Sequence, residues 1–207
     1  MAFDVLCVVA HPDDEVLGCG GTLWKHHENG DRVRIHFMTT RGMEDQILKA
    51  WPGTIIHSKK DPPDQQFDIL PLNYFVQNLE QEDYDPDVIY THWPHDLNLD
   101  HAIIARAVLT VFRPKPDSKP RKIFAFEVLS STEWSHGYEP FTPNWYNRLT
   151  TQHIAKKVNS MRCYASEIQE FPHPRSTTAI WIKARFRGAE CGSLLAESLH
   201  LIRGVEG

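Results

Sequence analysis

The chain lacks the features typical of secreted, membrane-spanning or nucleic-acid-binding proteins. It has four cysteines in 207 residues, widely spaced and without a CxxC pair, so we expect no zinc finger, no disulfide framework and a reducing, cytoplasmic setting. No apolar run is long enough to cross a membrane, and no basic start of a signal peptide is present. A net charge of −5 without a long basic stretch argues against a nucleic-acid partner.

A dinucleotide-binding fingerprint is also missing. Gly18, Gly20 and Gly21 do not have GxGxxG spacing, and they fall inside the first predicted helix rather than in the turn before it. Glycine is a poor helix former, so three together predict a close approach of this helix to the sheet or of a ligand to its backbone.

The chain does contain apolar strand patterns that alternate with helical patterns over its first two-thirds. Predicted strands cover residues 3–10, 32–38, 67–71, 87–91 and 122–128. Predicted helices cover residues 16–28, 73–82, 102–112, 151–168, 177–183 after a Ser176 cap, and 190–202. The polar alternation in 32–38 predicts a half-exposed strand near an edge. Together these patterns predict one α/β domain over residues 1–207, with a Rossmann-like, mostly parallel sheet and helices on both faces.

The most informative stretch, His11-Pro12-Asp13-Asp14-Glu15, follows the first strand. Ligand sites of open α/β sheets lie at the carboxyl ends of the strands. Three carboxylates and an imidazole are costly there unless a cation, such as a divalent metal, sits among them. The alternative is a helix start, where Asp commonly caps and acidic residues suit the helix dipole.

A second polar stretch, Asn98-Leu99-Asp100-His101, follows the strand at 87–91. His11, Asp14 and His101 would form a three-ligand site with an open fourth position, which is typical of catalytic zinc. Zn²⁺ is the expected ion, with Fe²⁺ or another divalent metal as alternatives. Asp13 would serve as general base for the attacking water. Asp100 would orient a neighbouring ring, or simply cap the helix.

With both motifs present, the sequence resembles the PIG-L/LmbE-like N-deacetylases, which are metal-dependent amidases acting on amino sugars in glycan pathways. The resemblance implies the same metal ligands, with Asp13 as base and Asp100 as their acidic partner. The chain departs from the family pattern at Asn98, where many members carry a histidine that acts as general acid or oxyanion stabiliser. An amide donates to an oxyanion but delivers no proton.

The missing histidine leaves two routes for the proton. Either Asp13 carries it both ways, or another histidine supplies it. His92, His95 and His173 are the candidates, and His173 is preferred because its turn is expected to fold over the site.

Three further residues are predicted to bind the substrate. Arg41 and Arg175 would clamp a phosphate or carboxylate, the alternative being ordinary surface arginines. Trp134 would stack on a sugar ring, in a wall that could also include Trp93 and Trp145, and all three have core packing as the alternative.

The expected function is removal of an N-acyl group, most simply acetyl, from an amino sugar or sugar nucleotide. A metal-dependent phosphoesterase is one alternative, although such enzymes often use two metals and only one compact ligand set is evident. A non-catalytic sugar- or nucleotide-binding module is the other, suggested only by Asn98. The oligomeric state stays open, a homo-oligomer included.

Overall fold

The computed structural model describes residues 2–57, 62–116, 119 and 121–205. Its sheet contains β1 (Asp4–Val9), β2 (Arg32–Phe37), β3 (Ile55–His57), β4 (Val88–His92), β5 (Lys122–Phe126), β6 (Trp145–Arg148) and β7 (Ala196–Gly204). Its helices are α1 (Asp14–Glu28), α2 (Glu44–Ala50), α3 (Leu72–Glu80), α4 (Leu99–Val111), α5 (Thr151–Cys163) and α6 (Thr177–Glu190). No helix within the described ranges is both long and apolar enough to cross a membrane.

The strand order is β3-β2-β1-β4-β5-β7-β6. Strands β1 to β5 pair in parallel, while β7 runs antiparallel to both β5 and β6. The chain moves outward from β1 in one direction through β2 and β3, then returns to β4 on the other side. The carboxyl ends of β1 and β4 therefore meet at the point where the winding reverses, the usual ligand position of such sheets.

Two apolar cores, one on each face, hold the sheet between helices. Alternate residues of β1 enter different cores, Val5 and Cys7 on one face and Leu6 and Val8 on the other, because successive side chains of a strand point to opposite sides. The predicted mostly parallel α/β fold with helices on both faces is confirmed.

Helix α1 is broken at Cys19, which has φ −135° and ψ 22°. The carboxylate of Glu197 accepts the backbone N–H groups of Gly21 and Thr22 at 2.9 and 2.7 Å. The ammonium of Lys157 donates to the carbonyl of Leu17 and lies 2.6 Å from Glu197 Oε1. A buried ion pair thus satisfies the backbone groups that the break leaves open.

The glycines of α1 allow close packing, as predicted. A Cβ at Gly18 would lie 2.2 Å from the Phe126 ring, and one at Gly21 would lie 2.6 Å from Leu149 Cδ1. The neighbours are side chains of the sheet and of the segment after β6, so the helix approaches the sheet rather than a ligand.

Several sequence expectations are wrong in detail. Residues 67–69 form a 3₁₀ turn instead of a strand, and the expected final helix over 190–202 is largely the antiparallel strand β7. Strand β2 lies inside the sheet, with Arg34 and His36 buried. Arg34 pairs with Asp4, and His36 hydrogen-bonds the Tyr84 hydroxyl, so both polar side chains are accommodated in the interior. Alternating polar residues therefore do not indicate an edge strand when their side chains find buried partners.

The remaining differences concern strand number, helix length and cysteines. Strands β3 and β6 and helix α2 were not expected. The helix capped by Ser176 continues to Glu190, well past Lys183. Cys7 and Cys19 are far apart in sequence, but their Sγ atoms lie 3.8 Å apart in the core, both as free thiols.

Candidate metal and catalytic site

The turn between β1 and α1 positions the first two predicted metal ligands. The backbone N–H of His11 donates to Asp14 Oδ2 at 2.9 Å, which closes the turn. Between them, Asp13 adopts φ 95°, a left-handed conformation that is uncommon outside glycine. Its N–H donates to Glu15 Oε2 at 3.1 Å, so a buried carboxylate holds the unusual backbone.

Glu15 is itself fixed by two distant aromatic residues. Its Oε1 accepts hydrogen bonds from Trp51 Nε1 at 2.8 Å and from the Tyr164 hydroxyl at 2.7 Å. Burial raises the pKa of Glu15 to about 7, although both hydrogen bonds oppose the rise. The ends of α2 and α5 therefore anchor the residue that holds Asp13.

Three buried side chains converge as the sequence predicts. One donor atom from each of His11, Asp14 and His101 lies within 4.8 Å of the other two. His11 Nδ1 is 3.3 Å from Asp14 Oδ2, and His101 Nε2 is 3.2 Å from Asp14 Oδ1. His101 Nε2 is nevertheless buried without a hydrogen bond of acceptable geometry to any described residue. A buried ring nitrogen without a hydrogen-bond partner, beside a carboxylate, fits a cation in this position.

The charges of the site also favour a cation. Burial lowers the pKa of His11, but hydrogen bonds to Asp100, Asp14 and Asp64 outweigh it and raise that pKa to about 11. Burial also lowers the pKa of His101, but the negative charge of Asp14 outweighs this effect and raises that pKa to about 9. The negative potential that favours protonated imidazoles is the potential that would hold a divalent ion.

A second set of possible ligands, His11, Asp64 and Asp100, overlaps the first. It uses His11 Nε2, which lies 3.0 Å from both Asp64 Oδ1 and Asp100 Oδ2. Asp64 is also partly exposed. We favour the first set because all three ligands are buried, and because carboxylates on Nε2 leave Nδ1 free to bind a metal. Since the two sets share His11, they describe one site.

Asp100 orients His11 rather than capping α4. Its Oδ1 accepts the N–H of Phe67 at 3.1 Å, while Oδ2 faces His11. The helix cap is Asn98, whose Oδ1 accepts the N–H of Asp100 at 3.0 Å. The amide oxygen of Asn98 is therefore already engaged at the edge of the site.

His101 has an orienting carboxylate that the sequence analysis missed. Asp96 Oδ1 lies 3.2 Å from His101 Nδ1, and the Asp96 carboxylate also accepts hydrogen bonds from the Ser131 and Thr132 hydroxyls. A proton on Nδ1 towards Asp96 leaves Nε2 as the ligand atom. An acidic residue five positions before a predicted ligand was the only available signal.

His92 packs against the imidazole of His101. The imidazoles of His92 and His101 stack with centroids 4.0 Å apart, and His92 Nε2 accepts the N–H of Ala10 at 2.9 Å. Burial and the His101 charge hold the pKa of His92 well below its usual value. His92 is thus a neutral, fully buried packing partner.

Asp13 lies beside the ligand cluster, facing the same cavity. Its Oδ2 is buried without a hydrogen bond within the described structure, and the nearest cation is Arg175 Nη1 at 3.5 Å. Burial and the Asp14 charge raise the pKa of Asp13 well above its usual value, and Arg175 opposes this. A carboxylate oxygen without a hydrogen-bond partner, on a residue that lines the cavity, suits a group that exchanges protons with water.

The cavity has a volume of about 470 Å³, and charged and apolar side chains surround its mouth. Predicted residues Arg41, Arg175 and Trp134 all line it, together with Asn98 and Asp100. Two acids near the mouth of the cavity were not predicted from the sequence. Asp64 lines the cavity, and Glu167 bridges Arg41 and Arg175. Asp64 lies in a stretch without a regular pattern, and Glu167 lies at the polar end of a predicted helix, so nothing local marked them.

His173, the preferred proton donor, is not brought to the cavity. Its Nδ1 accepts the backbone N–H of Arg175 at 3.1 Å, which stabilises the turn, and it is not among the lining residues. His95 is half-exposed and pairs with Glu139 at 3.2 Å. Trp93 is buried, and Trp145 lines a different cavity of about 330 Å³.

An α/β sheet with a buried His/Asp cluster at its carboxyl edge is the arrangement expected of a metal-dependent enzyme. The family model described as "PIG-L: GlcNAc-PI de-N-acetylase" matches residues 6–62, which contain His11 to Glu15 but not His101. No curated protein matches the chain significantly.

Solved structures match the whole chain at low identity. A conserved protein from Thermus thermophilus is 23% identical, with 99% of this chain and 97% of that one covered and a TM-score of 0.74. The N,N'-diacetylchitobiose deacetylase from Pyrococcus horikoshii is 19% identical, with 97% of this chain and 84% of that one covered and a TM-score of 0.71. A40926 pseudoaglycone deacetylase is 15% identical, covering 100% of each chain with a TM-score of 0.73.

The predicted resemblance to the PIG-L/LmbE-like deacetylases is therefore confirmed: the N-terminal segment matches the family model, and the fold is that of deacetylases. The same fold also occurs in the 4-carboxy-2-hydroxymuconate hydratase from Pseudomonas putida, which is 18% identical, covering 100% and 99% with a TM-score of 0.66. The fold alone does not select the reaction.

Proposed function

We propose that the protein is a metal-dependent hydrolase that removes an N-acyl group, most simply acetyl, from an amino sugar. The observation that carries this is the buried, unpaired Nε2 of His101 beside Asp14 and His11, together with the buried, unpaired Oδ2 of Asp13, a residue that lines the same cavity. The family match and the deacetylases that share the fold support the same reaction class.

His11, Asp14 and His101 would hold Zn²⁺ or another divalent ion. When bound, such an ion acidifies water and polarises a carbonyl. Asp100 and Asp96 keep the two imidazoles in the orientation that presents Nδ1 of His11 and Nε2 of His101.

Asp13 performs the proton transfers in this proposal. It accepts a proton as the water oxygen bonds to the amide carbon, and returns it to the nitrogen as the carbon–nitrogen bond breaks, so that a carboxylic acid and an amine form. None of His92, His95 and His173 lines the cavity, which supports Asp13 as donor in both directions. Arg175 lies close enough to stabilise the charged form of Asp13.

A phosphoesterase with two metals is less well supported, because the two candidate ligand sets share His11. A purely binding role is also less well supported, since every predicted ligand and the predicted base lie together. Neither alternative has an observation of its own that favours it.

The test is acyl release measured by mass spectrometry. Zinc-loaded protein is incubated with N-acetyl and N-formyl amino sugars, and bound metal is counted by elemental analysis. Asp13→Asn is expected to abolish turnover and retain the metal, whereas Asp45→Asn, an exposed change on α2, is the matched control.

Acyl loss that persists in Asp13→Asn would remove Asp13 as the base. A metal content near two ions per chain would favour the phosphoesterase instead.

A further inference from the structure

We infer that the site takes an uncharged N-acyl amino sugar bearing an apolar substituent, in preference to a phosphorylated or nucleotide-linked one. This inference rests on the proposed function and narrows its substrate class. It is carried by the charge pairing at the mouth of the cavity and by an apolar wall on the same mouth.

The guanidinium of Arg41 is already paired with acids. Its Nε lies 3.2 Å from Asp64 Oδ2, and Nη2 lies 3.3 Å from Glu167 Oε1. A phosphate that used the same Nε and Nη2 donors of Arg41 would have to displace these carboxylates. The sequence prediction of an arginine clamp for anions is therefore not favoured by the structure.

Arg175 is equally engaged. Its Nη1 lies 2.6 Å from Glu167 Oε2 and 3.5 Å from Asp13 Oδ2, and its Nε donates to Ser130 Oγ at 2.7 Å. Glu167 thus bridges the two arginines and neutralises much of their charge. The two arginines therefore stabilise the mouth of the cavity through ion pairs, and this is a better description of their role than anion binding.

Carboxylates also dominate the rest of the lining. Five aspartates face the two arginines: Asp13, Asp14, Asp64, Asp68 and Asp100. Even with a divalent ion bound, this lining carries no excess of positive charge. A substrate with two phosphate groups would be repelled by these carboxylates, and both arginines that could offset this are already paired with acids.

The apolar wall consists of Leu97, Leu99 and Trp134. All line the cavity, and their exposed fractions are 47%, 55% and 44%. The two leucines flank the cap of α4, and Trp134 ends the 3₁₀ turn Thr132–Trp134. These two segments are held together because the Asp96 carboxylate accepts hydrogen bonds from Ser131 and Thr132.

Such exposed apolar side chains, clustered at the mouth of a catalytic cavity, indicate contact with a ligand. A sugar at the metal ligands would place a substituent against this wall. Each methylene group buried there is expected to tighten binding by about fourfold at most.

The experiment compares matched N-acetylglucosamine compounds that differ only at the anomeric position. They are the methyl, butyl and octyl β-glycosides, the 1-phosphate and the UDP derivative. Amine formation gives kcat and KM, and calorimetry with Asp13→Asn gives binding without turnover.

We expect kcat/KM to rise from methyl to octyl, mainly through KM, and the phosphorylated compounds to fall at least tenfold below the methyl glycoside. Leu97→Ser combined with Leu99→Ser should flatten the dependence on chain length. Leu48→Ser, an exposed leucine on α2 outside the cavity lining, should leave that dependence unchanged.

A higher kcat/KM for the phosphorylated compounds than for the methyl glycoside would overturn the inference and leave the proposed function intact. A dependence on chain length that is unchanged by Leu97→Ser/Leu99→Ser would have the same consequence. No acyl loss from any compound by folded, metal-loaded protein would overturn the proposed function, and the inference with it.

Discussion

Replacing Lys157 by methionine tests how much the buried Lys157–Glu197 ion pair, which lies against the break in α1, contributes to the free energy of unfolding. Lys157 and Glu197 are both 5% exposed, with Nζ and Oε1 2.6 Å apart. Without the ammonium, the Glu197 carboxylate keeps two neutral N–H donors but no counter-charge. Removing one partner of a buried pair costs about 3–5 kcal/mol, against a total free energy of unfolding of about 5–15 kcal/mol.

The assay is urea unfolding at pH 7 followed by circular dichroism. For a chain of this size, the loss corresponds to a fall in Tm of roughly 6–20 °C. Lys156→Met is the matched control, because Lys156 is partly exposed and pairs with Glu28 on the surface, where such pairs contribute about 0–1 kcal/mol.

Equal losses for Lys157→Met and Lys156→Met would refute this reasoning.

Three other variants test the site and the packing. Glu15→Gln should lower kcat by about tenfold to a hundredfold with little change in KM, because an amide cannot accept both aromatic donors and the N–H of Asp13; an unchanged kcat would show that Asp13 needs no such support. Burial of Glu127 is outweighed by arginine and lysine side chains of α6, which hold its pKa below the ordinary value of 4.5. The stability that Glu127 contributes is thus present above pH 4.5 and lost as the pH falls through the folded pKa, and Glu127→Gln should flatten that acid loss in unfolding titrations. Gly18→Ala should cost about 1–3 kcal/mol by overpacking against a β5 phenylalanine. Gly20→Ala, whose Cβ would lie 3.4 Å from its nearest neighbouring side-chain atom, should be nearly neutral in the same urea unfolding assay.

The parallel part of the fold was predictable because its signals are local. Strand β1, the turn after it and helix α1 each carry an apolar period or a start signal within their own residues. The convergence of His11 with His101 also followed, since parallel strands bring their carboxyl ends to one edge. His11, Asp14 and His101 meet there as expected, although their roles stay predictions.

The antiparallel edge was not predictable in the same way. Strand β7 carries charged and polar residues such as Glu197 that resemble a helix in isolation, and their burial depends on the break in α1. Strand β6 has no core of its own and exists because β7 offers it an edge to pair with. Such elements are decided by partners far away in sequence.

The α/β class, and the residues that could hold a metal and move a proton, can be inferred from the amino-acid sequence, because these depend on residue type and short spacing. Which acids orient the ligands, and whether the arginines are paired, depends on contacts that form only in the folded chain. Asp96, Asp64 and Glu167 act through contacts between segments that no sequence pattern links. The charge that a substrate meets is therefore a property of the assembled mouth and of no single motif.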